Sequence, residues 1–377
     1  MRRAGWLMAG GAGLAGLLAV AVGTVCLASG CSSVGYLAQS VGGHMGLLAS
    51  ARPVDDWLAE PQAPEALKAR LALSQRMRDF AVSELKLPDN RSYRAYADLH
   101  RAAAVWNVAA APELSLALKT WCYPVVGCVG YRGYYEQAAA DAAGQALKDE
   151  GLEVTVYPVP AYSTLGKMNW LGGDPLLSTF IQWPEAQLAQ LIIHELSHQV
   201  VFAPGDTMFN ESFATTVERL GGERWLARQG SDAARAQATA LEQRRRDFRE
   251  LTQATRAALD ALYRSAADDA TKRQRKAELM AELRARHAAL KAGPWAGFTG
   301  YDAFIAHANN ASLGMQAAYL DWVPAFTALF EREGGDFGRF YAAAQALAAL
   351  PRAQRDAALR ALGDRHPSEN RPSSPTP

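Results

Sequence analysis

The chain has 377 residues, 49% of them hydrophobic and 20% charged, a globular composition that excludes collagen-like, low-complexity and fully disordered readings. Its 39 Lys+Arg against 38 Asp+Glu leave a formal net charge of +1, so no bulk field draws it to nucleic acid. The length suits one large domain or two ordinary ones.

The first 31 residues read as an address. Arg2 and Arg3 precede a run from Trp6 to Ala28 with no charged residue, and the run ends in Leu27-Ala28-Ser29-Gly30-Cys31. Small side chains just before a cysteine are what a lipoprotein signal peptidase requires. Residues 1–30 therefore read as a lipoprotein signal peptide, and Cys31 as the lipidated first residue of the mature chain. The alternative is an uncleaved anchor, because about 20 apolar residues span a bilayer. Several acyl chains on Cys31 would anchor stably where one would not. Ser32 rather than Asp follows Cys31, the pattern of a bacterial lipoprotein in the outer membrane facing the periplasm. Loss of Arg2 and Arg3 leaves 37 bases against 38 acids. Cys26 departs with the signal, so Cys122 and Cys128 remain as an even pair in an oxidising compartment, where a disulfide is expected.

Residues 53–120 read as helical, with apolar positions three and four apart in 66–73 and again around Leu99 to Val108, broken by Pro88-Asp89-Asn90. After the Cys loop come the aromatic cluster Tyr131 to Tyr135, expected to pack in the core, and an Ala-rich helix to Asp149. Glu153 to Tyr157 alternates like a strand. Leu176 to Ile181 predicts a second strand, an edge along which an extended peptide could pair. Pro184 opens a helix that runs into Pro204-Gly205, and a further helix spans Asn210 to Leu220, ended by Gly221-Gly222. Asp232 to Lys291 predicts a long helical hairpin turning near Ala266 to Asp269, its charges a solvated face, with envelope docking as the alternative. A helical block from Tyr301 to Leu362 is punctuated by Pro324 and Pro351, and residues 366–377 form a Pro/Ser-rich tail expected to be disordered. The fold class is mainly α with a small β-sheet (α+β), a single domain over 31–365.

Chemistry concentrates in His194-Glu195-Leu196-Ser197-His198. On a 3.6-residue helix, two histidines four apart share one face and reach one cation. Glu195 is turned about 100° away and addresses water without ligating. The flanks Leu191-Ile192-Ile193 and Val200-Val201-Phe202 put the motif on a buried helix, where a histidine pair is costly unless it has a partner. A zinc site of this type needs a third protein ligand and keeps one position open. Glu211 in Asn210-Glu211-Ser212-Phe213-Ala214 is the expected ligand. Glu218, two turns on, is the alternative ligand or an acceptor for an imidazole N–H. A donor for the oxyanion is expected in the C-terminal block, at Tyr319 or else Tyr301, with Asn309 and Asn310 placed for hydrogen bonding. His100, His287 and His307 lack ligand spacing.

The motif His194-Glu195-Leu196-Ser197-His198 followed by Asn210-Glu211-Ser212-Phe213-Ala214 resembles the gluzincin zinc metallopeptidases, whose aminopeptidase N-like branch carries H-E-x-x-H and then N-E-x-F-A. Here twelve residues separate His198 from Glu211, fewer than that branch uses. The lipobox, the segment from Cys122 to Tyr134 and Asp174-Pro175-Leu176-Leu177-Ser178-Thr179 resemble a family of bacterial lipoproteins described as aminopeptidases, over most of the mature chain. The resemblance implies a thermolysin-like zinc-peptidase core with the hairpin inserted, and one Zn2+ per chain on His194, His198 and Glu211. It implies Glu195 as general base on metal-activated water, and a peptide substrate. The string Gly166-Lys167-Met168-Asn169 lacks the acid with which aminopeptidase N-like enzymes hold the substrate amine, and Asp174 is the nearest acid ahead of the zinc helix. Endopeptidase activity and a non-catalytic envelope scaffold are the competing readings.

Overall fold

A computed structural model describes residues 31–123, 127–161, 173–316 and 322–364. The signal segment, Tyr319, the string 166–169 and the C-terminal tail lie outside the described residues. The chain divides into two compact units, Met1–Ser50 and Ala51–Pro377. The first contains one described helix, α1 (Cys31–Ala49), which opens at the expected lipidation residue and carries no Asp, Glu, Lys or Arg. Among the described residues no helix is long and apolar enough to cross a membrane.

The second unit is mainly helical with three small sheets. β1 (Arg52–Pro53), α2 (Val54–Ala59), α3 (Glu65–Ser83), β2 (Ala95–Ala97) and β3 (Val105–Pro112) come first. A hairpin of β4 (Trp121–Tyr123) and β5 (Gly127–Val129), then β6 (Arg132–Tyr134), α4 (Gln137–Asp149), β7 (Leu152–Val159) and β8 (Leu176–Leu177) follow. The helices α5 (Glu185–Ser197), α6 (Thr207–Gln229), α7 (Asp232–Arg264) and α8 (Asp269–Ala292) form the middle of the chain. It closes with α9 (Asp302–Ala306), α10 (Asn310–Met315), α11 (Val323–Arg332), α12 (Phe337–Ala348) and α13 (Arg352–Gly363).

The expectation of helix around Leu99 to Val108 is corrected: β3 is the central strand of the antiparallel sheet β6-β3-β7. Residues 103–111 are all buried, and a strand covered on both faces shows a continuous apolar run with no alternation to betray it. On one side α4 packs Ala140 and Leu147 against Trp106, Val108, Ala110 and Val154. Gly144 allows this approach, since a Cβ there would lie 2.9 Å from Val156 Cγ2. α10 also packs on β3 and β7. The side-chain amide of Asn310 donates to the carbonyls of Pro112 (3.0 Å) and Glu113 (2.6 Å), and that of Asn309 to Val154 O (2.9 Å). The two asparagines do hydrogen-bond, but they pin a helix to the end of the sheet.

Leu176 to Ile181 is not a six-residue strand. Only Leu176 and Leu177 pair, parallel to β2, and both are buried. The chain then turns, with the Phe180 and Ile181 amides donating to Leu177 O and both side chains entering the core. β8 is an edge of the sheet β1-β2-β8, but only two residues long. The Tyr131 to Tyr135 cluster contributes β6, where Tyr134 packs on the sheet cluster and Tyr135 is buried. Cys122 and Cys128 stand opposite one another on β4 and β5 and are disulfide-bonded.

The long hairpin forms where expected, but it is not only a solvated face. Phe248, Leu251 and Leu259 of α7 and Leu279, Met280 and Leu283 of α8 share a core with Trp295, Ile305 and Leu313. Tyr301 is half-buried against this core, its ring stacked on Phe248 at 4.0 Å and 8°. His287 packs on Trp295 and His100 is exposed.

Candidate functional site

The site is built on α5 and α6. Pro184 stands at the N-cap of α5 with φ −48°, a conformation already close to helical entry. Glu185 in the first turn accepts from Trp225 Nε1 at 3.1 Å, tying the start of α5 to the end of α6. Leu188, Ile192, Ile193 and Leu196 bury one face of α5. The same helix carries His194, Glu195 and, at the C-cap, His198.

The return path explains how Glu211 arrives. Asp206 caps α6 by accepting from Phe209 N at 3.1 Å, satisfying one of the orphan N–H groups of the first turn. The other oxygen of Asp206 takes two hydrogen bonds from Arg355 of α13, at 2.6 and 3.0 Å, and both residues are buried. Asn210 clamps the turn: its Oδ1 accepts from Ala203 N at 2.7 Å and its Nδ2 donates to Ala203 O at 2.9 Å. Phe209 and Phe213 pack against Phe326, and Phe213 also meets Phe340 and Tyr341. With that face of α6 committed to the core, Glu211 and Glu218 are left facing the histidines.

The expectation that Gly221-Gly222 ends this helix is overturned, because α6 continues to Gln229. The glycines are contact points. A Cβ on Gly221 would meet Leu85 Cδ1 at 2.7 Å and Ile193 Cγ2 at 3.1 Å, and one on Gly222 would meet Gln190 Cγ at 2.9 Å. They let α6 lie close against α5, at a helical-propensity cost of about 1 kcal/mol each.

Four side chains converge there. His194 Nε2 and His198 Nε2 are 3.2 Å apart. Glu211 Oε2 lies 3.3 Å from His194 Nε2, and its Oε1 lies 3.8 Å from His198 Nε2. One donor atom from each of His194, His198 and Glu211 lies within 4.8 Å of the other two. Glu218 is not in that group; its Oε2 accepts from His194 Nδ1 at 3.0 Å, fixing which imidazole nitrogen faces the cluster.

The electrostatics fit a cation. Burial works against a charged His194, but hydrogen bonds to Glu211 and Glu218 outweigh it and hold its pKa well above the ordinary value. His198 is lowered to about 4 by burial and by the charge of His194, so it is neutral near pH 7. Burial raises Glu211, yet the His194 hydrogen bond and the two imidazoles bring it below the usual carboxylate range. Once a cation displaces the proton of His194, two imidazoles, one of them oriented by a carboxylate, and an ionised Glu would be the donor set that Zn2+ takes.

One residue of this region carried no motif. Tyr93 is buried with φ 63°, a left-handed conformation that is strained for an aromatic residue. Its amide donates to Asp174 O at 2.7 Å and its carbonyl accepts from Gln75 Nε2 at 2.9 Å. Burial pushes the phenol pKa well up, and the charges of Glu195 and Asp174 push it further. Asp174 is itself buried. Gly173, at φ +75°, permits the apposition, because a Cβ there would lie 2.5 Å from Ser92 N. Asn90 and Ser92 of the same loop bond Gln199, next to His198. Nothing local in Arg91-Ser92-Tyr93-Arg94 signals this; the role exists only because 81 residues of chain return to it.

No curated protein and no solved structure matches the chain. The model of one family does, over residues 35–359, which span the sheets, the His194 to Glu211 cluster and the hairpin, and the chain belongs to that family, described as "Putative aminopeptidase".

Proposed function

We propose that the protein is a zinc-dependent peptidase of gluzincin type that removes N-terminal residues from peptides. The observation that carries the reading is the convergence of His194, His198 and Glu211 on one point, with Glu195 on the same helix. Zinc bound by those three residues would lower the pKa of water toward 7 and polarise a scissile carbonyl as a Lewis acid.

The chain's own groups do the rest. Glu195 accepts the proton of the attacking water and returns it to the leaving amine. Glu218 holds the His194 ring so that Nε2 faces the cluster. Asp174, buried and held by its carbonyl to the Tyr93 amide, is the carboxylate assigned to the substrate's ammonium group. Tyr319 remains the assigned oxyanion donor. Cys31 is assigned the lipid anchor, in the outer membrane facing the periplasm, a compartment that suits the Cys122–Cys128 disulfide.

Two experiments test this. Metal analysis should find one zinc per wild-type chain and substoichiometric metal in His194→Ala and Glu211→Ala; full occupancy in both variants would exclude the ligand set. Incubation of signal-less protein with a mixed peptide library should give products shortened by one N-terminal residue, and acetylating the amine should abolish them. Internal cuts indifferent to acetylation would replace the aminopeptidase reading with an endopeptidase.

A further inference from the structure

The helical hairpin meets the metal cluster at one polar node. Arg245 of α7 donates through Nη1 to Gln190 Oε1 of α5 at 3.1 Å and lies 3.9 Å from Glu218 Oε1 of α6. Gln190 is the side chain that Gly222 admits between the two helices. Glu218 thus divides its carboxylate: Oε2 faces His194 Nδ1 at 3.0 Å and Oε1 faces Arg245. Its side chain is only 18% exposed and that of Arg245 31%, so the pair is less screened than a surface ion pair. Around it, Arg249 pairs with Glu242 at 3.2 Å, and the charge of Arg219 feels Arg249, Glu242, Glu218 and Arg245.

A carboxylate that orients a ligand histidine needs its own orientation fixed, because a free Glu side chain has three rotatable bonds and a buried negative charge needs a counter-charge. The charge of Arg219 on α6 also acts on Glu218, and among the described residues the ion pair at Oε1 comes from the hairpin. We infer that Arg245 is a positioning residue of the metal cluster, holding Glu218 against His194, and that the hairpin is therefore part of the site's support. This rests on the metal reading above.

The test uses the full chain in detergent, loaded with zinc, and follows release of metal to an excess of chromogenic chelator. Loss of an outer-shell partner typically weakens metal binding by 10- to 100-fold. Arg245 stands one contact further out, so Arg245→Gln should release zinc on the order of ten-fold faster. Arg245→Lys should recover most of the loss, and the neighbouring Arg246→Gln, whose guanidinium bonds exposed Gln243, should match wild type. The double variant Glu218→Gln/Arg245→Gln should release no faster than Glu218→Gln alone, since one acts through the other. The visible spectrum of cobalt-substituted protein should change in Arg245→Gln and not in Arg246→Gln. Unchanged release with a lowered melting temperature of metal-free protein would reduce Arg245 to a packing residue and overturn the inference. Fully additive effects in the double variant would overturn it too. A wild-type chain that takes up no zinc would overturn the metal reading itself, a failure separable from the others.

Discussion

Two helix pairs lie side by side in this molecule and are held together by different physics. The α7/α8 hairpin is specified locally. Ser231 and Asp268 cap its helices by accepting from Ala234 N and Thr271 N, and pairs such as Arg264–Asp260 and Arg275–Glu278 lie one turn apart. The α5/α6 pair has no such self-sufficiency. Its turn is clamped by Asn210, its capping residue is neutralised by Arg355 from 149 residues away, and its close approach depends on two glycines. The lesson is that a hairpin can be read from neighbours in sequence, whereas a reactive site is assembled from residues that have no local reason to be what they are.

That contrast can be broken most sharply at Glu195. Glu195→Gln should lower kcat/KM on a peptide substrate by about 10²- to 10⁴-fold while zinc content and melting temperature stay at wild type. A variant that also loses its metal would place Glu195 among the ligands. Next in size is Arg355→Ala, which leaves Asp206 buried without its counter-charge and should cost about 3–5 kcal/mol in urea unfolding. A loss comparable to that of a surface pair would mean that solvent reaches Asp206.

Leucine at the glycine contacts should cost about 1–3 kcal/mol, with an order that tests the packing. Gly221→Leu meets the stiff β-branched Ile193 and should sit at the upper end, whereas Gly222→Leu meets the flexible Gln190 and should sit at the lower end. Thermal melts of the two variants decide. The smallest effect belongs to the hairpin surface, where Arg275→Ala and Glu278→Ala should leave the melting temperature unchanged within error. A measurable drop there would mean that the hairpin's exposed charges do more than keep it solvated.

Much of the site was legible because its chemistry is periodic. Four-residue spacing put His194 and His198 on one face, and the Pro184 entry and apolar flanks placed their helix. Glu211 was reachable because a turn and a second helix could bring it back. What was illegible failed for identifiable reasons. β3 is an Ala-rich run buried on both faces, and alanine's helix preference with no alternation conceals a central strand. Gly221-Gly222 looks like a helix stop until the partner helix is there to need the space. Tyr93 acquires its position from Asp174, 81 residues further along the chain, which no local pattern announces.

The Asp206–Arg355 pair also bears on how the protein is made. The helix that brings Glu211 to the histidines begins at Asp206, and the counter-charge for that buried residue sits near the end of the chain, on α13. A chain that stops short of Arg355 still holds His194, His198 and Glu211, yet its capping carboxylate must stay hydrated or be buried at a cost of several kcal/mol. The last helix is thereby tied to the start of the helix that carries Glu211.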